Sequence, residues 1–208
     1  ISLTSYVSYD SYRVDSLFSI ANIVPRQSTM QYGHNNLALR WNRSISELMN
    51  LNVLAVQSLY NTSTSAEDVK VGFDFDTRLR YHNVKAELTY APSTRQRINM
   101  GASITRYGIS PAELLPREGS SVATVVLPDE RAFETAVFIS DEYEIGDRLL
   151  IEPGLRYVQY WNLGALEVPV FSNEGPKTPS SVLNYLSLGK GEVESTYGRL
   201  EPRMALRY

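Results

Sequence analysis

The strongest constraint on the fold of this chain is the alternation of apolar and polar side chains with a period of two. The clearest case is the stretch 197–208 at the carboxyl end of the sequence. Its apolar positions are Leu200, Pro202, Met204, Leu206 and Tyr208, and the positions between them are Arg199, Glu201, Arg203, Ala205 and Arg207. A period of two places successive side chains on opposite faces of a β-strand, whereas a helix needs a spacing near 3.6. The sequence therefore predicts an all-β protein.

The same alternation recurs along the chain and predicts about eight antiparallel strands. The stretches are 1–10, 36–42, 69–92, 98–105, 134–143, 148–157 and 197–208, with a weaker pattern at 49–60. Strands of globular β-sandwiches average about 5 or 6 residues with short loops. Several stretches here are about twice as long, which favours an antiparallel outer-membrane β-barrel over a water-soluble sandwich.

One stretch contains a break in the alternation. Apolar side chains occupy odd positions from Val71 to Tyr81 but even positions from Val84 to Tyr90. A β-bulge near His82 and Asn83 within one long strand would explain this, and so would a tight hairpin turn between two short strands. The lengths of the links decide between the two explanations.

With a bulge, short links fall at one end of the sheet and long links at the other. The short ones are 44–48, 91–96 and 144–147, and the long ones are 14–31, 61–68, 108–130 and 162–196. Short periplasmic turns and long outer loops are the plan of an outer-membrane barrel. The sequence therefore predicts one strand over 69–92 with a bulge.

The charged positions of two strands predict which face meets lipid. Arg on the lipid-facing midplane of a barrel costs about 2 to 4 kcal/mol, so the charged side should face the interior. The predicted lumen-facing residues are Glu152, Arg156, Glu201, Arg203 and Arg207. Leu155, Tyr157, Met204 and Leu206 should then point outward.

Aromatic residues near both ends of the strands suggest the girdles of a barrel at the two headgroup levels. Trp41, Tyr90, Tyr143 and Tyr208 fall near the short-turn end, and Tyr60, Tyr107, Tyr160 and Trp161 near the long-loop end.

Composition excludes several other classes of protein. The chain has 208 residues, no Cys and a formal net charge of -3, and no basic face suggests a nucleic-acid partner. No run of about 18 apolar residues is present, so the sequence predicts no transmembrane helix. A mean hydropathy of -0.24 is compatible with a barrel, because only every second residue of a membrane strand meets lipid.

No catalytic motif, metal site or cofactor site can be assigned from the sequence. His34 and His82 are far apart, and His34 should lie near the outer mouth of its strand, where a barrel hydrolase could use it. Asp74 and Asp76 share a face, but calcium needs six or more oxygen ligands. The alternative of a small closed barrel with a structural, adhesive or hydrolytic role therefore stays open.

Two strands and the turn between them resemble the barrel of TonB-dependent receptors, particularly those of the Bacteroidota. The similar segments are Glu134–Glu142, the turn Glu144–Asp147, Leu149–Tyr157, Leu200–Tyr208 and the strand opening Arg97–Ala102. The resemblance covers mainly the chain from Arg97 onward.

The resemblance implies a 22-strand barrel in the bacterial outer membrane, of which residues 1–208 are a part. In that family an N-terminal plug fills the barrel, and TonB energises the uptake of a large or scarce ligand such as a siderophore, glycan or peptide. The implied partners are outer-membrane lipid, the protein's own plug, TonB and, in some branches, a surface lipoprotein. Plug and TonB-binding segment are not recognised in this chain, and no enzyme activity is expected.

Overall fold

The computed structural model describes residues 1–15, 27–164, 166–172, 176, 178 and 181–208. These residues are almost entirely β-strand, which confirms the all-β prediction. The strands are β1 (Ser2–Asp15), β2 (Gln27–Ser46), β3 (Met49–Ala66), β4 (Phe73–Ser93), β5 (Gln96–Pro116), β6 (Val125–Val126), β7 (Glu130–Ile145), β8 (Leu149–Leu163), β9 (Leu166–Phe171), β10 (Val182–Leu188) and β11 (Val193–Arg207). Within the described ranges, no helix is long and apolar enough to cross a membrane.

Eight long strands form one antiparallel meander in the order β1-β2-β3-β4-β5-β7-β8-β11. The short β6 adds to β5, and β9 pairs with β10 in a separate two-stranded sheet. The antiparallel prediction and the count of eight long strands are confirmed. The main sheet is open, because β1 and β11 are its two edges and no described pairing joins them. The pairing that a small closed barrel would need is therefore not formed.

The links between strands divide by length as predicted. Two-residue and three-residue turns join β2 to β3, β4 to β5 and β7 to β8, all at one end of the sheet. Gly146 in the last of these turns has a positive φ of 63°, which a residue without a Cβ adopts without strain. At the other end, β3 and β5 extend to Ala66 and Pro116, so parts of two predicted loops are strand. The link 164–192 contains the β9–β10 hairpin, and most of the predicted loop 14–31 lies outside the described residues.

The predicted bulge at His82 and Asn83 is wrong, although the prediction of one long strand through this point is confirmed. The strand begins at Phe73 rather than Val69, and its register with β3 runs without a shift through Gln57 opposite His82. A register shift lies instead on β5, near residues 111 and 112, where it leaves the alternation of β4 unchanged. The break in the alternation therefore reflects a change in the surroundings of each face along the strand, and not an inserted residue.

The pairing register defines the two faces of the sheet. On one face lies the cross-strand row Val53, Ala86, Ala102, Val137, Tyr157 and Leu200, and on the other the adjacent row Asn52, Glu87, Gly101, Phe138, Arg156 and Glu201. We call these the apolar face and the polar face. Alternation along each strand extends them over the sheet.

The apolar face is not covered by any second layer of the described residues. Val137 in the middle of the sheet is 55% exposed, and Val84 and Ile104 are each 50% exposed. In a β-sandwich such central side chains would pack against a second sheet about 10 Å away. The sandwich is therefore not the architecture of this part of the chain.

A small hydrophobic core forms at the long-loop end, on the polar face. Ala66 and Phe73 are fully buried and Leu114 is 6% exposed, with Phe75 and Val122 packed against them. The link 67–72 and the link after β5 close over this core, because the Ser121 amide and hydroxyl donate to the Lys70 carbonyl at 2.8 and 2.9 Å. We call this unit, residues 64–75 and 114–122, the cap.

Replacing Phe73 with Ala should loosen the cap. Removing a fully buried Phe costs about 3 kcal/mol or more, so amide exchange in 67–72 and 117–122 should accelerate about a hundredfold in the full-length protein. Hydrogen exchange followed by mass spectrometry measures this. Val69→Ala is the matched control, since Val69 in the same unit is 82% exposed. Equal exchange in the two variants would contradict the role of Phe73 as the centre of the cap.

Candidate functional site

A cluster of charged and hydrogen-bonding side chains occupies the centre of the polar face. We call it the polar cluster; its members are Asn83, Lys85, Thr105, Tyr107, Glu134, Phe138, Arg156, Glu201 and Arg203. They come from five neighbouring strands, β4, β5, β7, β8 and β11, and most of them border a shallow hollow of about 320 Å³.

Two glycines let long side chains lie flat on this face. A Cβ at Gly101 would stand 2.6 Å from Phe138 Cζ and would overlap the Ala86 carbonyl oxygen, so only glycine admits the ring here. The ring in turn carries Lys85, whose Nζ lies 4.9 Å from the ring centroid, a cation–π contact. Gly154 makes equivalent room for Arg203, whose Cγ and Nε would lie 3.1 Å from a Cβ at that position.

Arg156 links two carboxylates in the middle of the cluster. Its Nη2 lies 3.6 Å from Glu134 Oε1, and its Nε lies 3.9 Å from Glu201 Oε2. The Tyr107 hydroxyl donates to Glu134 Oε2 at 3.5 Å. The Arg156 Nε is buried and has no hydrogen-bond partner among the described residues. The contact between Arg156 Nε and Glu201 is therefore an ion pair without a hydrogen bond.

All five residues predicted to face a lumen lie on the polar face. The register brings Arg156 directly opposite Glu201, but Arg203 is opposite Gly154, Glu152 opposite Ala205, and Arg207 opposite Leu150. Among these five residues, Arg156 and Glu201 thus form the one directly opposed pair of opposite charges. Glu134 on β7 and Lys85 on β4 complete the cluster, and sequence reasoning missed them because the register across four strands is not readable from alternation.

The aromatic residues of the predicted girdles lie on the apolar face at the short-turn end of the strands, and at the long-loop end most of them lie on the polar face. Trp41, Tyr90, Tyr143 and Tyr208 fall on the apolar face by register and alternation. Tyr60, Tyr107 and Tyr160 lie on the polar face instead, where Tyr107 contacts Tyr81 and Tyr160 with ring centroids 5.6 and 6.4 Å apart. The aromatic residues of the apolar face at the long-loop end are Trp161, its ring partner Phe133 at 5.7 Å, and Tyr9.

His34 has a serine partner, Ser58, on the neighbouring strand. Its Nε2 lies 2.9 Å from Ser58 Oγ, and its ring packs edge-on against Tyr6 and Tyr60. Both strands are paired along their full lengths here, so backbone amides around Ser58 are engaged in the ladder rather than free to stabilise an oxyanion. The pair fits a structural role on the polar face.

Asp74 and Asp76 share a face as predicted. Together with Arg78 and Arg80 they lie on the apolar side of β4, beyond its apolar residues, and not on the polar face. Asp74 Oδ1 accepts from Ser65 Oγ at 2.6 Å and from Arg117 Nη2 at 3.0 Å. The hydrogen bond to Arg117 is the main reason that the pKa of Asp74 lies below its ordinary value, and burial opposes it. The carboxylate is thus engaged in closing the cap. The part of the chain that the structure describes contains no group of three or more acidic or His side chains suited to a metal ion.

Sequence comparison assigns no family to this arrangement. No family of known proteins matches the chain, and no curated protein matches it either.

The cap should loosen in acid because of the Asp74–Arg117 pair. A carboxyl group whose pKa is lowered by folding contributes stability above its unfolded pKa and loses it as the pH falls through the folded value. Exchange of the Arg117 amide, which donates to the Gly72 carbonyl at 3.1 Å, should therefore accelerate below about pH 4, after correction for intrinsic rates. In Arg117→Met the amide should exchange fast at every pH. A wild-type protection factor that stays constant down to pH 2 would contradict the pair's contribution.

Proposed function

We propose that this chain is part of the wall of an outer-membrane β-barrel, with lipid against the apolar face and the lumen against the polar face. The observation that carries the proposal is the uncovered apolar face of a long-stranded antiparallel meander. Soluble monomers rarely expose contiguous apolar patches beyond a few hundred Å². Lipid is the surroundings in which such a face is stable.

The height of the apolar face supports this proposal. On β8 it runs from Ile151 to Trp161 with no charged residue at the odd positions. Ten residue steps span about 33 Å along a strand. At the usual tilt of about 40° this gives a vertical height of about 25 Å, which is the height of the apolar band of outer-membrane barrels.

The two edges of the sheet support a larger barrel. Among the residues that the structure describes, β1 and β11 each have one side without a paired neighbour, along 14 and 15 residues respectively. Backbone groups left unpaired in lipid cost several kcal/mol each, so we propose that further strands continue the wall on both sides. A closed barrel removes both edges.

Within this class, we propose a TonB-dependent receptor that takes up a large or scarce ligand. The support is the resemblance of β7, the turn at Gly146, β8 and the end of β11 to such receptors. In this proposal the polar cluster faces a plug, the short turns are periplasmic, and the cap and the β9–β10 hairpin belong to the outer surface that captures ligand. TonB, outer-membrane lipid and, in some branches, a surface lipoprotein are the proposed partners.

An arginine placed on the apolar face should block assembly. Val137→Arg puts a charge in the middle of β7, where it costs about 2 to 4 kcal/mol in lipid but almost nothing on a water-exposed surface. We expect the variant to be lost from the outer-membrane fraction of cells that express the full-length protein. The control is Asn42→Arg, the same kind of change at an exposed position of the polar face. Normal amounts of folded Val137→Arg would refute lipid contact.

A change in the polar cluster should spare assembly and weaken contact with the plug. Arg203 extends over Gly154 and makes no ion pair with any described residue, so its guanidinium is available to a partner. We expect Arg203→Gln to reach the outer membrane in wild-type amounts, and the plug of the full-length protein to unfold at a lower urea concentration. Arg43→Gln, at the short-turn end, should leave the urea midpoint of plug unfolding unchanged. The same midpoint in Arg203→Gln and wild type would count against a plug on this face.

A further inference from the structure

A patch of arginines lies directly above the apolar residues of the central strands, on the apolar face. Register places Arg80 beside Gly108 and Gly108 beside Arg131, in one row across β4, β5 and β7. The next row toward the short-turn end contains His82 and Arg106, and the next row toward the long-loop end contains Arg78. We call Arg78, Arg80, Arg106 and Arg131 the arginine patch.

Gly108 makes a notch in the middle of the patch. Neighbouring strands lie about 4.8 Å apart, so Arg80 and Arg131 stand about 10 Å apart with no side chain between them. A Cβ at Gly108 would have Arg80 Cβ as its nearest neighbour at 3.8 Å. The width suits a tetrahedral anion held between two guanidinium groups.

The arginines of the patch have no internal counter-charge. Among the described residues, none of the four lies within ion-pair distance of a carboxylate, and Arg131 Nη1 is buried without a hydrogen-bond partner. Asp76, Glu113 and Asp129 are acidic residues at the long-loop side of the patch on this face, and Asp129 Oδ1 already accepts from Ser110 Oγ at 2.8 Å. A cationic cluster of this kind is completed by an anion, and guanidinium groups bind phosphate with paired, charge-assisted hydrogen bonds.

An apolar cleft opens directly below the patch. It measures about 370 Å³ and forms where the small Ala55 lies among Leu37, Leu39, Val84 and Ile104. Its upper rim is made by Gln57, His82 and Arg106, so that Arg106 belongs to both cleft and patch. If an elongated apolar chain occupied the cleft, the polar headgroup attached to it would therefore lie at the level of the guanidinium groups.

We propose that patch and cleft together bind one phosphorylated lipid of the surrounding leaflet, with an acyl chain in the cleft and the phosphate at Gly108 between Arg80, Arg106 and Arg131. This inference rests on the proposed membrane orientation. Charge complementarity selects the phosphate, and the apolar cleft that joins the patch selects a lipid over a free anion. The bound lipid belongs to the outer leaflet, because the patch lies at the long-loop end.

The test is native mass spectrometry of the full-length protein released from detergent micelles. Three probes separate the contributions: phosphatidic acid has phosphate and acyl chains, diacylglycerol has the chains alone, and inorganic phosphate has the anion alone. We expect phosphatidic acid to bind at least tenfold tighter than either of the others. Arg80→Gln combined with Arg106→Gln should weaken it about tenfold or more, and Ala55→Trp should weaken it by filling the cleft. Arg43 lies on the same face at the short-turn end of β2, far from the patch, so the Arg43→Gln variant should bind phosphatidic acid as wild type does.

Several outcomes would overturn the lipid site. Equal affinity for phosphatidic acid and diacylglycerol would mean a purely apolar surface, and equal affinity for inorganic phosphate would mean a plain anion site. A lipid-free dimer that dissociates when Ala55 is replaced by Trp would mean that a second copy of the chain covers the cleft. Reconstitution into nanodiscs separates the two proposals: protein that inserts but shows no preference for phosphatidic acid refutes this inference alone, whereas protein that fails to insert refutes the proposed function.

Discussion

The rest of the structure depends on the hydrogen-bond ladders that join eight long antiparallel strands in sequence order into one sheet. The ladders satisfy the backbone of every interior strand without help from a second layer, and they fix by parity which side chains share a face. With the backbone satisfied, the sheet needs an environment for each face. The apolar face has none within the described residues, and this requirement leads to lipid as its proposed neighbour.

The chemical character of both faces changes at one level of the sheet, between the middle of the strands and the long-loop end. On the apolar side, Val84 and Ile104 give way in the next row to His82 and Arg106, while on the polar side charged residues give way to the rings of Tyr81 and Tyr107. Further out, the polar face buries Phe73 and becomes the cap. In the proposed orientation this level is the membrane boundary, since strands that leave hydrocarbon are free to expose charge outward and to pack apolar groups inward.

Local patterns of the sequence predicted what alternation and turn chemistry control, and failed where distant contacts decide. Alternation around Met204 and Leu206, and the short turn at Gly146, gave the strands and their connections correctly. The change at His82 was misinterpreted as an inserted residue, because alternation alone does not show that a face can change its surroundings along one strand. Lys85 and Glu134 joined Arg156 only through the register of four strands. The cap, in which Ala66, Phe73 and Leu114 meet, depends on contacts between separate links that no local pattern reveals.

Accessibility of spin labels along β8 in nanodiscs tests the central claim of lipid contact most directly. Residues 1–208 contain no Cys, so single Cys substitutions from Leu155 to Gln159 can each carry one label in a full-length protein whose other Cys residues, where present, have been replaced by Ser. The account predicts that labels at odd positions collide with oxygen dissolved in lipid, while labels at 156 and 158 do not and instead contact water or other parts of the protein. Odd-position labels that collide mainly with a water-soluble nickel reagent, or with neither reagent, would contradict a lipid-facing apolar surface.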